Sequence, residues 1–335
     1  MTMAKNCHIA SWILAAAALL FVLGAHLLPA LIAGLLVYEL VHLLAPRIRL
    51  KQLQGGKAKL AVVALIATLI MGGLTAAIVG MVIFFRSGTE SLPLLLQKMA
   101  EILESSRAML PGVLLQYFPV DVAGFKDATV HWLKGHADEL QTVGREAGLM
   151  AAHILIGMIV GAMVSLREVA SDHVYGPLAA ALVERASRLG DSFRRVVFAQ
   201  VRIAALNAVF TALYLGVILP MAGVDLPLVK TMVLLTFLLG LMPVVGNLLS
   251  NAIIVVVSLS QSLHVAIGSL VFLVVIHKLE YFLNARIVGA QIRAAAWELL
   301  LAMLVMESAF GLAGVVAAPI YYAYLKDELA ARELV

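Results

Sequence analysis

The sequence has one cysteine, Cys7, in 335 residues. That leaves no intrachain disulfide and no thiolate pair for a metal. Charge is scarce too: 24 Lys+Arg and 20 Asp+Glu make up 13% of the chain, against about 25% in a soluble globular domain. Also missing are G-x-S-x-G, H-E-x-x-H, a Walker A loop and a Cys-pair metal motif, so enzyme chemistry finds no support. Without a nucleotide-binding loop, any active transport by this chain must draw on an ion gradient. No cofactor or metal is expected.

What is abundant is apolar sequence, 63% of all residues, with a mean hydropathy of +1.02. These values exclude a soluble enzyme, a disordered chain and a fibrous repeat. A net charge of +4 and a pI near 9.2 would suggest nucleic acid in a soluble protein. Here they fit basic loops lying against anionic lipid headgroups, with no nucleic-acid partner. A helix needs about 20 apolar residues to cross a ~30 Å hydrocarbon core. Eight apolar segments approach or exceed that length: 9–28, 30–44, 60–85, 149–166, 203–222, 228–259, 265–282 and 297–324. The first resembles a signal peptide in its short basic lead (Lys5) but runs past an h-region into a second apolar stretch, and reads as a retained span. The fold class is therefore an all-α polytopic membrane protein, with an external amphipathic segment and two broken or re-entrant segments.

Five regions follow: residues 1–85 with three spans, 86–147 as an external amphipathic helical segment, 148–170 as a fourth span, 171–200 as a cytoplasmic amphipathic helix, and 201–335 as a C-terminal core. Orientation rests on the loop at 45–59, where Arg47, Arg49, Lys51, Lys57 and Lys59 face no acid and mark the cytoplasm. Both termini are then cytoplasmic. Simple alternation would put Arg286 and Arg293 outside, against the charge rule; if segments 228–259 and 297–324 re-enter, the two arginines face inward. In the external segment Leu95, Met99, Ile102 or Leu103, and Leu110 recur at helical spacing, as a cap on the membrane domain or a docking surface. From Pro177, a stripe of Leu178, Leu182, Leu189, Phe193 and Val196 opposes a charged face. It suits a helix in the headgroup plane or a coupling helix.

Lipid gives helices no hydrophobic reason to associate, so seams form at small residues. Ala64, Thr68, Gly72, Ala76 and Gly80 make an unbroken ridge; Gly157, Gly161 and Ser165, and Ala204, Ala208, Ala212 and Gly216, make two more. Each reads as a tight seam, within or between protomers. Two breaks interrupt the C-terminal half. Gly240-Leu241-Met242-Pro243-Val244-Val245-Gly246-Asn247 combines a lost backbone donor with two loosening glycines, and Gly311, Gly314 and Pro319 interrupt the last segment. Such breaks are tolerable only against protein or a watery cavity, and a pair of them points to a transport site. Asn247 and Asn251 supply polar side chains beyond the first. Glu307 lies within the last apolar run, where a charge costs roughly 2.5–3.5 kcal/mol on insertion scales; it is a candidate ion or proton carrier, or else a structural ion pair. Glu280 and Arg286 form a candidate gate pair or salt bridge. Gln200, Arg202 and Asn207 could line a pathway, while Glu39 and His42 suit the inner interface.

Residues 193–327 resemble the C-terminal half of the autoinducer-2 exporter family of bacterial permeases. The matching pieces are Phe193…Gln200, Pro243-Val244-Val245-Gly246, Glu280…Arg286-Ile287-Val288-Gly289 and Gly311…Gly314…Ala318-Pro319; the first 170 residues agree in layout. One departure is Ala285, where many members carry proline, and this weakens any transfer of local geometry and substrate to that loop. The resemblance implies a multi-pass protein of the bacterial inner membrane, exporting a small polar solute such as a signalling molecule. Some members are similar to sodium/proton antiporters, and some are thought to be pentameric, which implies a homo-oligomer. A passive oligomeric channel and a non-transporting scaffold remain the alternatives.

Overall fold

The computed structural model describes residues 2–45, 56–86, 92–106, 137–170, 175–242, 245–287 and 296–334. It is helical, with no strand among the described residues. The helices are α1 (Thr2–Gly24), α2 (Leu28–Leu44), α3 (Gly56–Arg86), α4 (Leu92–Ser106), α5 (Ala137–Ala170), α6 (Pro177–Leu213), α7 (Val229–Gly240), α8 (Val245–Ser258), α9 (Leu263–Ile287) and α10 (Ala296–Ala330). Five helical stretches are long and apolar enough to cross a membrane. The chain divides into two compact units: Met1–Ala77, Gly144–Val197 and Gln291–Val335 form the first, Ile78–Val143 and Phe198–Ala290 the second.

The segment 228–259 is two helices rather than one. At 1.5 Å per residue, α7 and α8, with 12 and 14 residues, reach only about 18 and 21 Å, short of the ~30 Å core. Their feet meet again. Gln261 Nε2 donates to the Asp225 carbonyl at 2.8 Å across 36 residues of sequence, so α7 and α8 form an antiparallel hairpin. Its core contains Leu215, Leu226, Met232, Ile254, Val257 and Leu273. Leu95 of α4 joins that core and is fully buried, which fixes the start of the segment 86–147 against α8. The corresponding Leu110 position lies outside the described residues.

The last segment folds back as well. Gly311 adopts φ 60°, ψ −143° inside α10, a conformation open to glycine and strained for residues with a Cβ. Beyond it, Tyr322 Oη donates to Glu298 Oε2 at 2.8 Å and Lys326 Nζ sits 2.7 Å from the same oxygen. In a straight helix residues 298 and 322 would be about 36 Å apart, so the legs 296–310 and 312–330 lie side by side. A Cβ at Gly314 would overlap the Met306 carbonyl, and Met303, Val315 and Ala318 pack between the legs. Both breaks read from the sequence are hairpin turns.

The small-residue ridges have different fates. Gly157 and Gly161 of α5 lie directly on α2: added Cβ atoms there would overlap the Ala30 and Gly34 carbonyls. Ser165 continues the seam, buried and donating to the Gly161 carbonyl at 3.0 Å. On α3, Ile66, Ala67 and Ile70 are buried instead, and among the described residues nothing lies within 4 Å of a Cβ added at Gly72, Gly73 or Gly80. The ridge that reads most clearly as a seam thus meets no described neighbour at those glycines. Its spacing supplies a flat face without specifying what meets it.

Gly161→Ala forces α2 and α5 apart and should cost about 1–3 kcal/mol, as overpacking does elsewhere. Gly148→Ala, with open space around its Cβ, should be neutral or stabilising. Thermal unfolding of the purified variants in detergent compares the two.

Candidate functional site

The tip of the first hairpin gathers several of the expected residues. Gly246 is buried, and a Cβ there would overlap the Leu239 carbonyl, so only glycine lets α8 start so close to the end of α7. The final turn of α7 tightens: Leu241 N–H donates to Leu238 O at 3.2 Å and Met242 N–H to Leu239 O at 2.8 Å. Gln200 of α6 reaches in, its Nε2 donating to the Gly240 carbonyl at 2.6 Å. Ala204, one turn along α6, is fully buried and would lie 3.2 Å from a Cβ at Gly240. Asn247 is half-buried beside it and Asn251 half-buried one turn on. Pro243 lies outside the described residues.

The second unit buries polar side chains of one kind. Asn207, Thr211, Thr231, Thr236, Ser250, Ser258 and Ser269 are all buried; among the described residues of this unit, none of the buried ones is charged. Several satisfy themselves locally: Thr236 Oγ1 donates to Met232 O and Ser250 Oγ to Asn247 O. Others join helices. Tyr214 Oη lies 3.0 Å from Ser269 Oγ, which lies 2.8 Å from Ser258 Oγ, and the Tyr214 ring stacks on Phe272 at 3.9 Å. This staple ties α8, α9 and the end of α6 together where α6 passes into a π-helical turn, Tyr214–Ile218, ahead of Pro220. Asn207 is buried here as part of α6, while Arg202 is exposed and bonds back to the Phe198 carbonyl.

The second tip carries Gly311, Gly314 and Glu307. Glu307 sits four residues before the turn, exposed, on a leg face where Leu300, Leu301, Leu304 and Val305 are also exposed. Among the described residues no cation pairs with it. The two breaks belong to different units, and each tip is a local construction. Glu280 and Arg286 both lie on the α9 backbone, but their side chains fall outside the described residues, as does Arg293.

The most densely wired region escaped the sequence reading. α6 runs unbroken from Pro177 to Leu213, so the stretch at 177–200 continues directly into the helix that opens the segment 203–222. Its polar face turns inward at Arg185, which is 2% exposed. Arg185 lies 2.8 Å from Glu184 and 3.0 Å from Glu328 of α10, itself buried. Glu328 Oε2 also meets Arg188 at 3.2 Å and accepts from Trp12 Nε1 of α1 at 3.1 Å. The Trp12 ring in turn has the Arg185 and Arg332 guanidinium groups 6.0 and 5.2 Å from its centre. One residue earlier, Asp327 pairs with Arg195 and accepts from Ser192 at 2.6 Å. Phe193 is fully buried with Ile320 and Ala323. Nearby, Glu39 is buried with Arg194 at 3.7 Å, and His42 meets Glu168 at 3.0 Å. The available clue was the run Glu184-Arg185…Arg188 set against Lys326-Asp327-Glu328.

The described residues form a helical polytopic membrane protein with two hairpins that turn inside apolar sequence. The family model for AI-2E family transporters matches residues 9–331, and the chain belongs to that family. Neither the curated proteins nor the solved structures give a match.

Glu328→Gln strips the charge partner from a buried arginine and should destabilise the protein by about 3–5 kcal/mol. Arg185→Met combined with it should recover most of that loss. Thermal unfolding in detergent of the single and double variants measures both.

Proposed function

We propose that the protein is a secondary transporter of the bacterial inner membrane that exports a small polar solute, with the two hairpin tips as its solute-facing elements. The observation that carries this reading is the length of the legs. Helices of 12 and 14 residues end about a third of the way short of the far side of the bilayer. Carbonyls and amides released there need polar company, which protein or a hydrated passenger can supply. The neutral hydroxyl and amide side chains buried in the second unit favour an uncharged, hydrogen-bonding solute over an ion.

Energy coupling is assigned to Glu307. A carboxyl on an apolar, exposed face, without a described cation, is costly to retain in lipid, and binding the coupling ion accounts for its presence. The same observation favours the second reading, a sodium/proton antiporter, in which the ion is itself the cargo. In proteoliposomes Glu307→Gln should abolish gradient dependence; unaltered coupling in that variant removes Glu307 from the mechanism. Flux that persists at full rate without any ion gradient would instead mark a passive channel.

The hairpin also bears on orientation. With 228–259 returning to the side it entered, α9 runs inward and Arg286 and Arg293 join the cytoplasmic positive charge. Single cysteines placed at 288–295 in a Cys7→Ser background should be labelled from the cytoplasmic side only. A homo-oligomer is assigned to the open face of α3. Cysteine at Gly72 should then cross-link to a second copy in native membranes, and a purely monomeric product there argues against that assembly.

A further inference from the structure

We infer that Asn207 and Thr211, one turn apart on the buried face of α6, are a solute-contacting pair that fits a small uncharged molecule with hydrogen-bonding groups. The inference rests on the transport reading above and adds to it the residues that touch the passenger. α6 turns one stripe of side chains inward. Gln200, Ala204, Asn207, Thr211 and Tyr214 recur at helical spacing, and the last four are buried. Leu206, Val209 and Leu213, on the opposite side, are exposed. Both ends of the stripe are tied to protein. Gln200 Nε2 donates to the Gly240 carbonyl of α7 at 2.6 Å, and Tyr214 Oη lies 3.0 Å from Ser269 Oγ of α9. At 1.5 Å per residue, Asn207 lies about 10 Å along the helix from each tie.

What sets the middle pair apart is the want of a partner. Thr236 and Ser250 give their hydroxyls to carbonyls of their own helices, and Ser258 and Ser269 bond each other. Among the described residues no group donates to or accepts from the Asn207 amide or the Thr211 hydroxyl, although these residues are only 6% and 3% exposed. A helical threonine can give its hydroxyl to the carbonyl four residues back; Thr211 does not. Neither side chain is sealed in. The buried polar atoms shut away without a hydrogen bond, among the described residues, belong to His8, Arg185 and Glu328. The sliver of surface that Asn207 and Thr211 keep therefore includes their polar ends, where water or a solute's hydroxyl can meet them. An amide and a hydroxyl left unmet among apolar groups cost free energy, and a molecule bringing both donor and acceptor removes that cost. None of the buried residues described in this unit is charged, so the molecule is neutral. An analogue lacking the matching polar group leaves the pair unmet and is rejected.

The test uses the full chain with Cys7→Ser. In membranes, Asn207→Cys should react with methanethiosulfonate ethylammonium, a small water-soluble reagent, about tenfold faster than Thr236→Cys, because a thiol touching water ionises more readily than one in apolar surroundings. Equal rates at the two positions overturn the inference. Asn207→Leu keeps the side chain's bulk and removes the amide. Its unfolding midpoint in detergent should match or exceed the parent's, since no bond to protein is lost. A fall of more than about 2 °C, the mark of a lost protein partner, overturns the inference, and so does failure of this variant to assemble. Flux into vesicles is read with radiolabelled glycerol, ribose and urea as neutral probes. For a probe that the parent carries, Asn207→Leu should slow uptake at low concentration about fivefold, the loss of one ordinary hydrogen bond. Unaltered uptake overturns the inference and leaves transport standing. A parent that carries none of the three overturns the neutral-solute reading, and the inference falls with it.

Discussion

Everything in this architecture answers to one mismatch of lengths. A bilayer's hydrocarbon core is about 30 Å thick, and the legs of the first hairpin, at 12 and 14 residues, are too short to cross it. Helix ends that lie harmlessly in water would, at such a depth in a bilayer, be stranded among apolar groups, where every free carbonyl must be answered by protein or by water. The close backbone contacts at Gly246 and Gly314, the Gln200 amide on Gly240 and the ties at the feet, Gln261 to Asp225 and Lys326 to Glu298, all serve that requirement. The feet are closed by polar bonds and the tips by close backbone packing, to which the first tip adds the Gln200 amide.

Polar chemistry is sorted between the units. Among the described residues, buried charge is confined to the first, at Glu39, Arg185 and Glu328, while the buried polar groups of the second are hydroxyls and one amide. The distinction has energetic content. An ion cluster such as Arg185–Glu328 gains little net stability over an apolar isostere, but losing one member of it is severe. It therefore acts as a positional lock more than as a source of stability. Hydroxyl pairs such as Tyr214–Ser269–Ser258 involve no charge, and each is worth about 1 kcal/mol. The first unit is tied by charged contacts that tolerate poorly the loss of a partner, and the second by neutral, more exchangeable ones.

How much of this was legible in the chain depends on range. Pro243, Gly246 and Gly311 announce a break because proline and glycine act on their own turn of backbone, and both breaks are where those residues are. Whether a break is a kink or a fold-back is decided elsewhere, by Asp225 meeting Gln261 and Glu298 meeting Lys326, and no local pattern carries that. Leu95 and Ile102 were legible as an inward face because helical periodicity is local; both are buried. The α3 ridge was legible as a surface but not as a contact, since small residues permit approach without naming the partner. The charged face after Pro177 looked lipid-directed because the acids that complete it, Asp327 and Glu328, come more than 130 residues later. Gln200 was legible only as a polar residue in a span; its role depends on the reach from α6 to Gly240.

The Glu328 hub has a bearing on how the protein is made. Its carboxylate bonds Trp12 across 316 residues, and Arg185 and Arg188 wait between them in sequence. During synthesis the first helix is inserted and the arginines emerge with Glu184 beside them, long before Glu328 exists. The knot can be tied only when residue 328 has left the ribosome and the last hairpin has folded back. A product cut short ahead of that point would carry a sequestered guanidinium with its principal counter-ion missing, so truncation is recorded as instability at a site far from the cut, where membrane proteases can act on it.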